Sequence, residues 1–199
     1  MIKNVVFDMG NVILRWDPQY IAEKLSNNEK EKEIIINELF ASKQWALLDE
    51  GKISLEETVA SFSSKHRELL KYALYHWHDY FEPFIEIIPL LKRLNNNNYQ
   101  IYLLSNCNKQ FDEYSQRVEA FKYFDGFYIS AKHLLVKPDI KIYQDFLNEF
   151  HLKAEESVFI DDVKANIDGA KQAGIAGYYY DGDVCKLEKY LIDEMKLDF

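Results

Sequence analysis

Four short segments, far apart in the chain, each set an acidic, hydroxyl or basic residue just after an apolar, strand-like run or in a loop. They are Val5-Val6-Phe7-Asp8, Leu103-Leu104-Ser105-Asn106, Val136-Lys137-Pro138 and Phe159-Ile160-Asp161-Asp162. Short continuous runs of Val, Ile, Leu and Phe mark strands covered on both faces, the situation of parallel sheets flanked by helices. In an open α/β sheet the ligand lies outside the carboxyl ends of the strands. One crevice can therefore receive a carboxylate from the first strand, a hydroxyl, an ammonium and an adjacent acidic pair. That set suits phosphoryl chemistry: carboxylate oxygens for Mg2+, an Asp nucleophile, and Ser plus Lys to hold phosphate oxygens.

The segments between them alternate as an α/β fold requires. After the first strand, Asp17-Pro18 reads as an N-cap followed by Pro at N1, and the sequence is then mostly helical to about Phe81. Ser54-Leu55-Glu56-Glu57 fits a capping box. The stretch carries Trp45, Phe62, Tyr72, Tyr75, Trp77, Tyr80 and Phe81, expected mostly to fill a small helical core of its own. Pro83 and Pro89 mark the return to the main domain, so the expected organisation is an α/β core of residues 1–16 and 83–199 with a helical insert of 17–82. Within the core a helix around Leu90–Leu94, a strand Ile101–Leu104 and a helix near Phe111–Phe121 are expected. A short strand Phe127–Ile129 then leads through a loop to Lys137-Pro138, and a helix from Asp139 to Phe150 precedes the strand Val158–Ile160. The next helix stops at Gly174, a C′ glycine, before a strand Gly177–Tyr180 and a helix Leu187–Met195. Asn95–Asn98 reads as a solvated loop, and no internal repeat is present.

With 199 residues the chain can bury a good core. A net charge of −9 argues against a nucleic-acid surface, which wants clustered Lys and Arg, but leaves room for a small phosphate ligand served by one lysine and a metal. Cys107 and Cys185 make no framework and no metal-like spacing, which points to a reducing, cytoplasmic setting. No apolar stretch reaches the roughly 20 residues of a membrane span, and the amino terminus runs straight into a strand without a signal region, so no membrane partner is expected.

Taken together, Asp8-Met9-Gly10-Asn11-Val12, Ser105-Asn106, Lys137-Pro138 and Asp161-Asp162 resemble the four motifs of the haloacid dehalogenase superfamily. The resemblance covers nearly the whole chain and implies a Rossmann-like three-layer α/β core, a parallel sheet, and a helical cap inserted after the first strand. Around Gly10-Asn11-Val12 the chain is similar to the branch containing bacterial α-glucose-1-phosphate phosphatases. The implied activity is a Mg2+-dependent phosphatase acting on a small phosphorylated metabolite, such as a sugar phosphate, under a closing cap. A catalytically weak member that binds a phosphorylated ligand, and a metal-independent dehalogenase, are the alternatives; the acidic pair Asp161-Asp162 argues against the second.

The resemblance also implies roles. Asp8 is the nucleophile, Ser105 and Asn106 bind phosphoryl oxygens, and Lys137 neutralises charge between Asp8 and the phosphate. Mg2+ is held by Asp8, the Gly10 backbone carbonyl and Asp162, with Asp161 acting through metal-bound water and Asn166 behind them. One position departs from the pattern: where the family has a second Asp two places after the nucleophile, acting as general acid and base, this chain has Gly10. Such help is typically worth about 10² to 10⁴ in rate. An acid from the cap, a substrate needing little protonation, and a loss of strong catalysis are the three explanations, and slow but real activity is the expected outcome. Asp17 is the nearest acid in sequence but reads as an N-cap. His76 and His78, at i and i+2, cannot share a helix face, and Cys107 reads as a packing residue.

Overall fold

Val5, Val6 and Phe7 have no solvent exposure, which only a strand flanked and covered on every side can achieve. In the computed structural model, which describes all 199 residues, they form β1 (Asn4–Phe7), the centre of a five-stranded parallel sheet. The other strands are β2 (Gln100–Ser105), β3 (Gly126–Ile129), β4 (Ser157–Asp161) and β5 (Ala176–Tyr179), in the spatial order β3-β2-β1-β4-β5. Phe7 lies level with Leu103 on one side and Ile160 on the other. The residues that follow them therefore leave the sheet side by side, at the point where the strand order reverses.

Alternation along β1 divides the core into two layers. Val5 and Phe7 pack with Leu103, Ile160, Leu90 and Leu187, the last two from α6 (Ile88–Asn96) and α11 (Val184–Asp193). Val6 faces the other way, with Leu104, Phe159, Phe146 and Ile167, where α9 (Ile140–Glu149) and α10 (Lys164–Gln172) cover the sheet. Complete burial of each such side chain stabilises the fold by about 1.5–3 kcal/mol. Gly174 takes φ +85° just past α10, where a left-handed C′ residue ends a helix.

Between β1 and α6 come five helices: α1 (Pro18–Leu25), α2 (Glu29–Ile34), α3 (Lys43–Asp49), α4 (Leu55–Ser61) and α5 (Arg67–His76). A π-helical turn, Ile35–Phe40, continues α2. Each start obeys its local code. Asp17 accepts from the Tyr20 N–H at 3.1 Å, Ser42 from that of Trp45 at 3.1 Å, and Ser54 and Glu57 satisfy one another's backbone N–H groups. The segment leaves and re-enters the α/β part along paired strands of backbone: the Arg15 N–H donates to Glu82 O and the Phe84 N–H to Ile13 O, both at 2.9 Å.

Three expectations need correction. The helix expected near Phe111–Phe121 is short: α7 (Phe111–Tyr114) gives way to 3-10 turns, and Val118 is extended (φ −95°, ψ 105°). The bend lets Phe121 and Phe124 turn inward, where they pack with Phe111 and Phe127 at centroid distances of 5.3–5.8 Å. Likewise, the loop before Lys137 contains a helical turn, α8 (Ser130–His133). The aromatics of the helical segment do not simply fill a private core either. Trp77 packs edge-on against Trp16, Trp45 and Phe81 and reaches Tyr114 of α7, so the apolar interior runs through from one part to the other.

Gly51, just after α3, holds the helical segment against α8. It has φ +74°, and a Cβ there would lie 2.2 Å from the Ala131 carbonyl oxygen. Gly51→Ala is expected to destabilise the protein by about 1–3 kcal/mol, through left-handed strain and a backbone clash that no rotamer relieves. Urea unfolding of the variant against the wild type measures it.

Candidate active site

Because Phe7 lies level with Leu103 and Ile160, Asp8 and Asp161 come to the edge of the sheet together, with Ser105 one residue further along at the end of β2. Lys137 comes to the same point from the loop after α8. Its ammonium lies 2.8 Å from Asp8 Oδ1 and 2.7 Å from Asp161 Oδ2, and all three side chains are almost inaccessible to solvent. Burial works against the charge on Lys137, but Asp8 and Asp161 outweigh it and its pKa is raised. Asp8 is pushed up to about 6, by burial first and by Asp161, with Lys137 pulling the other way. The Lys137 ammonium at 2.8 Å favours the carboxylate form of Asp8.

The side chains around this triad fix it. Asn106 donates to the Lys137 carbonyl at 2.9 Å and accepts the Lys137 N–H at 2.8 Å, a two-point clamp on the loop that delivers the lysine. Asp161 is fully engaged: beside Lys137 it accepts from Asn166 Nδ2 at 3.0 and 3.1 Å and from the Val163 N–H at 2.7 Å. Asp162, half-buried, is raised by burial, and the Asn11 amide hydrogen bond at 3.1 Å opposes that shift. Oxygens of Asp8, Asp161 and Asp162 lie within 4.8 Å of one another. Three carboxyls face one ammonium, an excess of negative charge that a hard divalent cation would balance.

These groups floor a cavity of about 350 Å³ that Asp8, Gly10, Ser105, Asn106, Lys137, Asp162 and Asn166 line together. Of the expected site residues only Asp161 is absent from the lining, being held beneath. The far walls are aromatic: Trp16, Phe40, Trp45, Trp77 and Phe81. Trp16 and Trp45 stack at 5.5 Å, and Trp77 meets both edge-on at 5.0–5.4 Å. A sequence model of the haloacid dehalogenase-like hydrolases matches residues 2–174. The chain belongs to the haloacid dehalogenase-like hydrolase family.

Relatives within reach of this hydrolase include a sesquiterpene phosphatase of Aspergillus oryzae, 25% identical over 89% of each chain. A D-ribitol-5-phosphate phosphatase of Bacteroides thetaiotaomicron is 26% identical over 87% of this chain and 89% of its own. Among solved structures, a family enzyme from Bacteroides thetaiotaomicron in complex with magnesium and inorganic phosphate superposes with a TM-score of 0.72. It is 22% identical, over 94% of this chain and 99% of that one.

Other sequence-derived readings resolve as follows. Asp17 caps α1, pairs with Arg15 at 2.6 Å and lies outside the cavity lining. His78 is buried while His76 pairs with Asp79 at the surface. Cys107 is buried, and its N–H donates to Ser130 Oγ at 2.9 Å, so that backbone donor is already taken. The role of Asn11 was not legible: it sits at φ +52°, accepting the Trp16 N–H at 3.1 Å with one end of its amide while the other holds Asp162. The local signal was an Asn in a tight turn, a residue that tolerates the left-handed region. Asp49 also lines the cavity, from the end of α3, where the sequence offered only an unremarked helical acid.

Lys137→Met leaves Asp8 and Asp161 buried without their counter-charge and is expected to cost about 3–5 kcal/mol at neutral pH. The cost should shrink as the pH falls. Asp8 is raised above its unfolded value even with the lysine present, so the folded variant binds protons in preference to the unfolded chain between those two pKa values, and stability falls as pH rises through that window. Denaturant curves for both proteins at about pH 5 and 8 test this; a gap that widens toward acid would contradict it.

Proposed function

We propose that this protein is a Mg2+-dependent phosphatase that hydrolyses a small phosphorylated metabolite through an aspartyl phosphate on Asp8. In this reading residues 17–82 form a cap over an α/β core of 1–16 and 83–199. The observation that carries it is the buried ammonium of Lys137 shared by Asp8 and Asp161, at the floor of a cavity that Ser105 and Asp162 also reach.

The donor set fits a magnesium ion. Asp8 and Asp162 would supply carboxylate oxygens and Gly10 its carbonyl, while Asp161, already bonded on both oxygens, would reach the ion only through water. When bound, Mg2+ would neutralise phosphate charge and orient the phosphoryl group. Asp8, its carboxylate form favoured by the adjacent ammonium, attacks phosphorus; Lys137 balances the charge gathered there, and the Ser105 hydroxyl holds a phosphoryl oxygen. Asn106 supports this chemistry by holding the Lys137 loop, since both ends of its amide are bonded to that backbone.

The walls bear on the organic half of the substrate. A polyol phosphate would leave most of its hydroxyls facing Trp16, Trp45, Trp77, Phe40 and Phe81, with Arg15 and Asp49 the polar side chains among them to replace water. A compact apolar or flat organic group gains from the same surfaces. The cavity thus favours a monoester of that kind over a sugar phosphate. Chelation should remove activity and added Mg2+ should restore it and raise the melting temperature. In a phosphate-release screen, aryl and prenyl phosphates should exceed sugar phosphates in kcat/KM by at least about tenfold. Asp8→Asn should fold normally and release phosphate only at background rate, whereas retained turnover would place the chemistry elsewhere.

A further inference from the structure

We propose that Asp49, from the helical segment, is the general acid and base of this site, serving the leaving-group oxygen and then the attacking water. The assignment rests on the phosphatase reading above and adds the proton carrier that reading lacks.

Chemistry sets the requirement. An alkoxide is a poor leaving group, so a phosphate ester of an alcohol needs a proton at the bridging oxygen as the bond to phosphorus breaks. On the floor, Lys137 is tied to two carboxylates, and Asp8 is the attacking group. Gly10 offers no side chain there, and Asp17 is an N-cap outside the cavity. Besides Asp8 and Asp162, which the metal would engage, Asp49 is the one carboxyl that lines the cavity.

Its position is fixed by contacts. Asp49 is the last residue of α3, one turn beyond Trp45, so the two share a helix face and both line the cavity. The Ser130 hydroxyl donates to the Asp49 carbonyl and accepts the Cys107 N–H at 2.9 Å, which ties Asp49 to the chain two residues beyond Ser105. Gly51, pressed on the Ala131 carbonyl, pins the same corner.

Its surroundings suit a carboxyl that carries a proton. Burial raises its pKa well above the usual range, and the amide groups of Asn108 and the indole of Trp45 oppose this only in part. No cation stands beside it, and the carboxyl end of a helix is itself unfavourable to an anion. The side-chain Nδ2 of Asn108, 2% exposed, faces the Asp49 carboxyl without completing a full hydrogen bond, a donor placed to tighten onto the carboxylate once the proton has gone.

In the first step Asp8 forms a bond to phosphorus, the bond from phosphorus to the leaving oxygen breaks, and the Asp49 proton passes to that oxygen, giving the alcohol and an aspartyl phosphate. In the second, water attacks phosphorus, Asp49 takes one of its protons, and the Asp8–phosphorus bond breaks. Phosphate leaves with Asp8 ionised and Asp49 protonated again.

The test uses Asp49→Asn, close in shape but unable to carry the proton, with an aryl and an alkyl phosphate. The aryl ester needs no protonation, so its kcat/KM, which reports the first step, should stay within about threefold and show that the variant is folded. Its steady-state rate should fall after a burst of phenol equal to the enzyme. For the alkyl ester kcat/KM should fall about 10² to 10⁴-fold with no burst. Asp49→Glu, which keeps a carboxyl, should recover at least about tenfold of that loss. Equal losses on both esters, or an unchanged alkyl rate, would overturn the role of Asp49 alone. Wild-type protein that releases phosphate from neither ester would overturn the phosphatase reading and this assignment with it.

Discussion

Everything at this site depends on one buried ammonium held between two buried carboxylates. Isolated, any of the three charges would cost several kcal/mol to bury; together, with Asn166 and the Val163 N–H completing Asp161, each is compensated. The parallel sheet makes that meeting unavoidable, because Phe7 and Ile160 end level and deliver Asp8 and Asp161 to adjacent positions. Two adjacent carboxyls demand a cation, and the Asn106 clamp brings Lys137 to them. The same arrangement leaves Asp162 at the cavity lining, where it adds to the excess negative charge that metal-ion chemistry can use.

The helical segment completes the site. Trp77 links the aromatic wall to Tyr114 of the α/β part, and Ser130 links the end of α3 to the backbone beyond β2. The floor supplies fixed charge; the wall supplies apolar surface and one carboxyl, Asp49. Phosphoryl transfer needs those two environments in contact, since charge stabilisation strengthens where water is excluded.

The strands and the floor were legible because they obey short-range rules. Val5-Val6-Phe7, Leu103-Leu104 and Phe159-Ile160 are apolar runs of strand length, each ending at a polar residue, and Asp17-Pro18 and Ser54–Glu57 carry their caps in four letters. What could not be read depends on tertiary partners. The break at Val118 follows from how four phenylalanines nest. The hold of Asn11 on Asp162 spans 151 positions, and that of Asn106 on Lys137 spans 31. Asp49 has an ordinary helical context and becomes unusual only where α3 meets the α/β part.

The central claim is that phosphorus passes through Asp8. Acid quenching of the protein during turnover of an aryl phosphate, followed by peptide mass mapping, tests it most directly. The account predicts one added phosphoryl group on the peptide carrying Asp8, absent after Asp8→Asn and lost on incubation without substrate. Sustained phosphate release with that peptide unmodified at every time point, and a phosphoryl group on another residue, would contradict it.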